Sequence, residues 1–242
     1  FSDWKAEPPF LDKLKGIHDN IYFEWAKAVH KIWLELGRES IDDVRDNPTH
    51  HSLLYTPNPI VVPGGRFRES YYWDTYWIVK GLLVSDMLKT AQGVVENLLY
   101  FVDKYDHVPN GGRIYYLTRS QPPLLSEMVR VVYEALLQQE QGEILGNTPS
   151  SMKFLEKAVP LLDKEYHFWK VNRSTTNSKF FPLSIYNANS KDPRPESYRE
   201  DYVLAKDINN KQEKDKLYQN LAAAAESGWD FSSRWFKDNN VG

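Results

Sequence analysis

The stretch LDKLKGIHDNIYFEWAKAVHKIWLELG, residues 11–37, sets the fold class. Its apolar side chains Leu11, Leu14, Ile17, Ile21, Trp25, Val29, Ile32 and Leu36 recur every three or four residues. That is the spacing of one helix face, and Gly37 supplies a C-terminal stop. The same period runs through most of the chain. A second helix is predicted from about Thr75 to Leu88, and a third from about Ala91 to Tyr105 with Thr90 as its cap. Pro122-Pro123 opens a fourth, reaching about Gln139, since proline suits the first helical position. Ser150 or Ser151 opens a fifth, to about Val171, with Pro160 a kink. Pro195-Glu196-Ser197 begins a short sixth, to about Ala205, and Lys211 to Glu226 forms a seventh, ended by Gly228. No segment alternates over a length that demands a strand; Arg113 to Thr118 is the candidate for a short one.

The connectors carry the chemistry. In an up-and-down helical array, alternate connectors lie at the same end. Those around Lys89, Gly146 and Asn209 are short and bland, whereas 55–74, 106–121, 172–196 and 227–233 are rich in Gly, Pro, aromatic and polar residues. The predicted architecture is therefore all-α, a toroid of helical hairpins with a site at one mouth.

Composition narrows the function classes. Aromatic residues make up 14% of the 242, enough to line a sugar site after the core is filled. The net charge is −3 with both signs interspersed, which gives no reason to expect a nucleic-acid partner. The absence of Cys excludes disulfides and thiol catalysis. The six histidines lack the spacing of a metal site and are expected at surfaces or in ordinary hydrogen bonds. Asn172-Arg173-Ser174 is an N-glycosylation triplet, whereas Asn47-Pro48-Thr49 is spoiled by its proline. No apolar run approaches the roughly 20 residues of a membrane span, and no signal peptide opens the chain. Phe1 is no natural start, so the expectation is a leader removed and a secreted or membrane-anchored extracellular protein.

Pro63-Gly-Gly-Arg-Phe-Arg-Glu-Ser-Tyr-Tyr-Trp-Asp-Thr-Tyr76 is the strongest single signal. Two glycines let the backbone turn tightly beside a ligand. Trp73 then offers a stacking face next to the Asp74 carboxylate, a sugar-hydroxyl acceptor. The same residues also read as a plain helix start, with Asp74 as N-cap and the tyrosines in the core. Asp230, between Trp229 and Phe231, reads either as a carboxyl whose pKa an apolar setting raises or as the N-cap of a helix starting near Ser232.

The 63–76 stretch resembles the signature of the trehalase family. Three more stretches resemble the same family in the correct order: His107-Val-Pro-Asn-Gly-Gly-Arg113 with Arg119-Ser-Gln-Pro-Pro123, Pro193-Arg-Pro-Glu-Ser-Tyr198, and Glu226-Ser-Gly-Trp-Asp-Phe-Ser-Ser-Arg-Trp235. The resemblance covers nearly the whole chain and leans towards the animal enzymes. It implies an (α/α)6 toroid, incomplete here, that hydrolyses α,α-trehalose to two glucoses with inversion and needs no cofactor or metal. By the resemblance Asp230 is the general acid. Arg66, Phe67, Trp73, Asp74, Asn110, Arg119, Gln121, Arg194 and Glu196 line the sugar sites, and Gly228 presents backbone beside the substrate. Each arginine also has a plain reading as a structural ion pair. Glu69, Arg68 and Arg113 are expected to brace those contacts.

The family's catalytic base is a Glu from its C-terminal half, and that half is not in these residues. About seven helices stand where a closed toroid needs twelve. Residues 1–242 are therefore expected to be the N-terminal part of one catalytic domain, inactive alone. The expected partners are trehalose or glucose and the missing half, covalent or as a second chain. Exposed apolar helix faces should follow. The alternatives are a non-catalytic carbohydrate-binding fragment and a helical-toroid glucoamylase, the latter not accounting for the four stretches.

Overall fold

A computed structural model describes residues 1–16, 20–141, 148–176, 181–188 and 190–232. The opening apolar stripe belongs to two helices, α1 (Phe10–Leu14) and α2 (Asn20–Leu36); Ile17 lies outside the described residues. β1 (Gly37–Arg38) follows and pairs antiparallel with β2 (Ile60–Val61). Between them lie α3 (Asp42–Asp46) and a 3-10 turn over Pro48–His50. Then come α4 (Asp74–Val84), α5 (Leu88–Tyr105), α6 (Leu125–Glu140) and α7 (Ser150–Asn172). β3 (Ser174–Thr175) pairs antiparallel with β4 (Leu183–Ser184), and α8 (Tyr198–Leu204) and α9 (Lys211–Glu226) complete the described elements. The connector expected around Gly146 lies outside the described residues.

The core sits among α4 to α7. On α5 the buried positions Ala91, Val94, Val95, Leu98, Leu99 and Val102 step by three and four. They meet Val79 and Leu82 of α4, Met128 and Val132 of α6, and Phe154 and Ala158 of α7. Each large side chain removed from water there contributes about 1.5–3 kcal/mol. A second, smaller cluster joins Ala205, Tyr218 and Leu221 between α8 and α9.

The starts of α5 and α6 differ from the sequence expectation, while α7 starts where expected. The second helix ends at Val84, where Asp86 takes a left-handed φ of 57° and Met87 donates back to the Leu82 carbonyl at 2.9 Å. α5 then begins at Leu88, so Thr90 is inside the helix. Its amide and hydroxyl both donate to the Asp3 carboxylate, the amide at 2.8 Å. α6 starts at Leu125, beyond Pro122-Pro123, and the Leu125 amide donates to the Tyr72 hydroxyl at 3.0 Å. In α7 the Ser151 amide donates to Glu140 at 2.9 Å. First-turn amides need acceptors, and residues distant in sequence supply them here. At α9 the cap is local, Asn210 accepting from the Gln212 amide at 2.9 Å. Pro160 lies inside α7 as expected. The strand candidate Arg113 to Thr118 is instead a 3-10 helix over Ile114–Thr118.

α2 also differs from its reading. His30 is buried, with Nε2 against the Lys5 carbonyl at 2.7 Å, and the Trp33 indole packs on Gly81 while donating to Ser85 at 2.9 Å. Ile21, Trp25, Val29 and Ile32, expected to face the core, are exposed, Ile21 at 74%. Among the described residues no helix is long and apolar enough to cross a membrane.

Candidate active site

The stretch before α4 makes a tight turn at Gly64 and Gly65, whose φ angles of 106° and 60° favour glycine. Paired bonds between Gly64 and Phe67 close that turn. It projects the exposed Arg66 and Phe67, the guanidinium lying 4.8 Å from the ring centroid. Phe67 packs edge-on against Tyr71, and Tyr71 against Tyr116. The stretch then runs beside the connector between α5 and α6: Tyr72 donates to the Asn110 carbonyl at 3.1 Å, and Gly112 to that of Ser70 at 2.9 Å. Gln121 accepts the Trp73 amide at 3.1 Å, which fixes the indole at the head of α4. Glu69, as expected, braces this region, taking Arg113 in an ion pair and accepting the Tyr71 hydroxyl at 3.2 Å. Arg68 is exposed.

The polar groups are held by one another. The Arg119 Nε donates to Asn110 at 2.9 Å and its Nη2 to Glu196, with arginine and asparagine both buried. The Arg194 Nε and Nη2 both reach Asp201, at 2.8 and 2.7 Å, and its guanidinium lies over the Phe231 ring. Both arginines are thus ion-paired and also line the cleft.

The turn after α9 uses two left-handed residues, Gly228 at φ 70° and Asp230 at φ 46°. At Gly228 a Cβ would lie 3.0 Å from the Trp73 indole, so the bare backbone packs on that ring. Asp230 is exposed, and Trp229 and Phe231 are themselves 48% and 53% exposed. The flanking rings therefore do not bury the carboxyl. Asp74, the first residue of α4 rather than its N-cap, is half-buried, and burial followed by the Asp230 charge pushes its pKa up. The helix expected near Ser232 falls mostly outside the described residues.

These pieces enclose one cleft of about 570 Å³. Arg66, Phe67, Trp73, Asp74, Asn110, Arg119, Gln121, Arg194, Glu196, Gly228 and Asp230 all line it, brought together from four connectors. Tyr71, Tyr116, Ser197, Ala225 and Phe231 line it too and were not singled out by sequence. Tyr71, Ser197 and Phe231 stand inside the quoted stretches, so their position was available; Tyr116 was hidden in the presumed strand. His107, expected in an ordinary role, is buried, with Nδ1 on the Tyr105 carbonyl at 2.8 Å and its ring stacked on Phe168. Asn172 is exposed at the end of α7.

A helical array with a polar, aromatic cleft at one mouth defines a class, and comparison places the chain in it. The trehalase family model matches residues 1–242, and the chain belongs to that family. It is 46% identical over 237 residues to a trehalase of Apis mellifera, covering 97% of this chain and 35% of that protein. It is 43% identical to a Tenebrio molitor trehalase, covering 100% and 41%, and 43% identical to a human trehalase, covering 97% and 38%. The chain thus spans well under half the length of these relatives. Among solved structures it is similar to the neutral trehalase Nth1 from Saccharomyces cerevisiae, with a TM-score of 0.54 and 30% identity over 70% of this chain and 33% of that one. The fold is the all-α arrangement of helical hairpins of an (α/α)6 toroid.

Proposed function

We propose that the protein containing this chain hydrolyses α,α-trehalose to two glucoses with inversion, using Asp230 as the general acid and a base from outside residues 1–242. The observation that carries this is the convergence of eleven sugar-site candidates from four connectors on one cleft. Trp73 and Phe67 offer apolar faces to pyranose rings. Asp74, Glu196 and Asn110 can accept from hydroxyls, and Arg119 and Arg194 can donate to them.

In this reaction Asp230 passes its proton to the glycosidic oxygen as the C1–O bond breaks. Water attacks C1 from the opposite face and gives its proton to the base, so one product has the inverted anomer. The two carboxyl groups of such an enzyme stand roughly 6.5–9.5 Å apart. Of the other cleft carboxylates, Glu196 is committed to Arg119, and Asp74 lies in the field of Asp230 on a half-buried helix start. Asp230 is exposed, and a working acid is better served by a closed, apolar setting. We therefore assign both the base and the closing wall to the remainder of the protein, together with cover for the exposed face of α2, and take residues 1–242 to be inactive alone. The protein is also proposed to be extracellular, carrying a glycan on the exposed Asn172.

Release of glucose from trehalose but not maltose by the full-length protein, with none from residues 1–242, is the expected result. Turnover of maltose in preference to trehalose, or turnover by residues 1–242 alone, would overturn this reading. A mass loss on treatment of the native protein with peptide N-glycosidase F tests the glycan.

A further inference from the structure

Glu226 is the last residue of α9, four before Asp230, and its side chain is completely buried. Both carboxylate oxygens are saturated. Oε1 accepts from the Ser120 amide at 2.9 Å and from the Arg173 Nη2 at 2.7 Å. Oε2 accepts from the Asn187 amide at 2.9 Å and from the Arg173 Nε at 2.8 Å. The two amides belong to different connectors. Ser120 lies between Arg119 and Gln121, both cleft residues, and its own hydroxyl donates to the Val108 carbonyl at 2.7 Å. Asn187 leads towards Arg194 and Glu196, and its side chain accepts from Gln219 of α9 at 3.0 Å. The Arg173 guanidinium lies over Phe168, on which the His107 ring of the second connector also stacks.

A buried ion pair is poor evidence of stability, since well-packed apolar residues often replace one without loss. It does fix direction. We propose that Glu226 is a positioning residue for the reaction assigned above: its carboxylate locks the Asn110–Gln121 connector and the Arg194–Glu196 connector to the turn that carries Asp230. The inference rests on that reading of the cleft. Glu226 touches no substrate, and it acts through two backbone amides and Arg173. This side chain is one of the links that set the separation of acid and sugar-holding groups, and misplacement by about 1 Å is enough to lower a rate about a hundredfold.

Two variants of the full-length protein test the assignment. Glu226→Asp keeps the charge for Arg173 but withdraws the carboxylate by one methylene from the two amides. Arg173→Met with Glu226→Gln removes both charges and leaves one carbonyl oxygen for two amides. The expected result for both is a melting temperature within about 5 °C of wild type. With it should come a kcat on trehalose at least about tenfold lower, and a smaller change in KM. Hydrogen exchange should accelerate in peptides covering 106–121 and 183–196 and stay unchanged in α4 to α6. A Glu226→Asp protein with wild-type kcat and wild-type exchange in those peptides would overturn the proposal, as would a double variant that recovers both with its stability. Should the wild-type protein leave trehalose untouched, the functional reading falls, while the exchange measurement still decides whether Glu226 holds the connectors.

Discussion

Helices α4 to α7 and the segment from Arg173 to Ser232 are held by different forces. The first region is a continuous apolar cluster in which Val79, Leu82, Val95, Leu99 and Met128 are fully excluded from water. In the second, the described cluster of buried apolar side chains is Ala205, Tyr218 and Leu221. Three ion pairs order it, Arg173–Glu226 and Arg194–Asp201 within the segment and Arg119–Glu196 tying it to the second connector, with side-chain exposures between 0% and 19%. Apolar burial is non-directional and scales with area, so it gives stability without specifying angles. Forked, charge-assisted bonds contribute less net energy but fix orientation. The cleft lies where the two regimes meet: Arg66, Asp74 and Arg119 come from before Arg173 and Arg194, Glu196 and Asp230 from after it, while Phe67, Tyr71, Trp73 and Tyr116 form an aromatic wall to which the second region adds Phe231.

The largest expected effect separates the regimes completely. In the full-length protein, Asp230→Asn should lower kcat on trehalose by about 10²–10⁴-fold with little change in melting temperature. α-Glucosyl fluoride, whose leaving group needs little protonation, should regain much of that rate. Near wild-type trehalose turnover by a folded variant would refute the acid assignment. Leu99→Ala should do the reverse, costing about 2–5 kcal/mol in urea unfolding while the activity per folded molecule stays unchanged. A loss of specific activity there would mean that the core also sets the site.

The third prediction concerns pH. Burial pushes the Glu165 carboxyl up to about 7, where it accepts the Tyr72 hydroxyl. The folded state thus binds this proton more tightly than the unfolded chain. Stability from this group is complete at low pH and is lost as pH rises from about 4.5 through about 7. His107 works in the opposite sense: burial, then the Arg173 charge, hold its pKa down, so stability falls as pH drops below about 6.5. Glu165→Gln should remove a fall in stability of up to about 3 kcal/mol between about pH 4.5 and about pH 7 and leave the His107 contribution intact. An unchanged slope across that interval would exclude Glu165 as its source. The smallest effect is expected at Gly228→Ala. Its left-handed φ and the Trp73 ring 3.0 Å from the new methyl should cost about 1–2 kcal/mol, with a rise in KM as the indole shifts. An unaltered KM would show that Trp73 does not depend on this contact.

The helices were legible because their period is local. α7 and α9 begin and end within a residue or so of their expected limits. The starts of α5 and α6 were not legible, since Asp3 and Tyr72 satisfy amides far along the chain and leave no adjacent signature. The direction in which the α2 stripe faces was hidden for the same reason, since Trp33 and His30 are chosen by Gly81 and Lys5. The cleft residues were readable as motifs. The pairing of Arg173 with Glu226 was not, because it joins residues 53 apart that no window of sequence contains, whereas Asp201 stands seven residues past Arg194, within reach of such a window.

The left-handed backbone at Asp230 also constrains how such a protein can change over generations. Aspartate and asparagine are among the few side chains that tolerate this conformation, because their short polar groups bond locally. Glutamate, the obvious other carboxylic acid, does not share that tolerance and would carry its acid one methylene further from the backbone. The neighbouring mutation that keeps the turn is asparagine, reached from aspartate by a single base change. If Asp230 is the acid proposed above, drift away from hydrolysis is steered towards a folded paralogue that retains the cleft and lacks the proton.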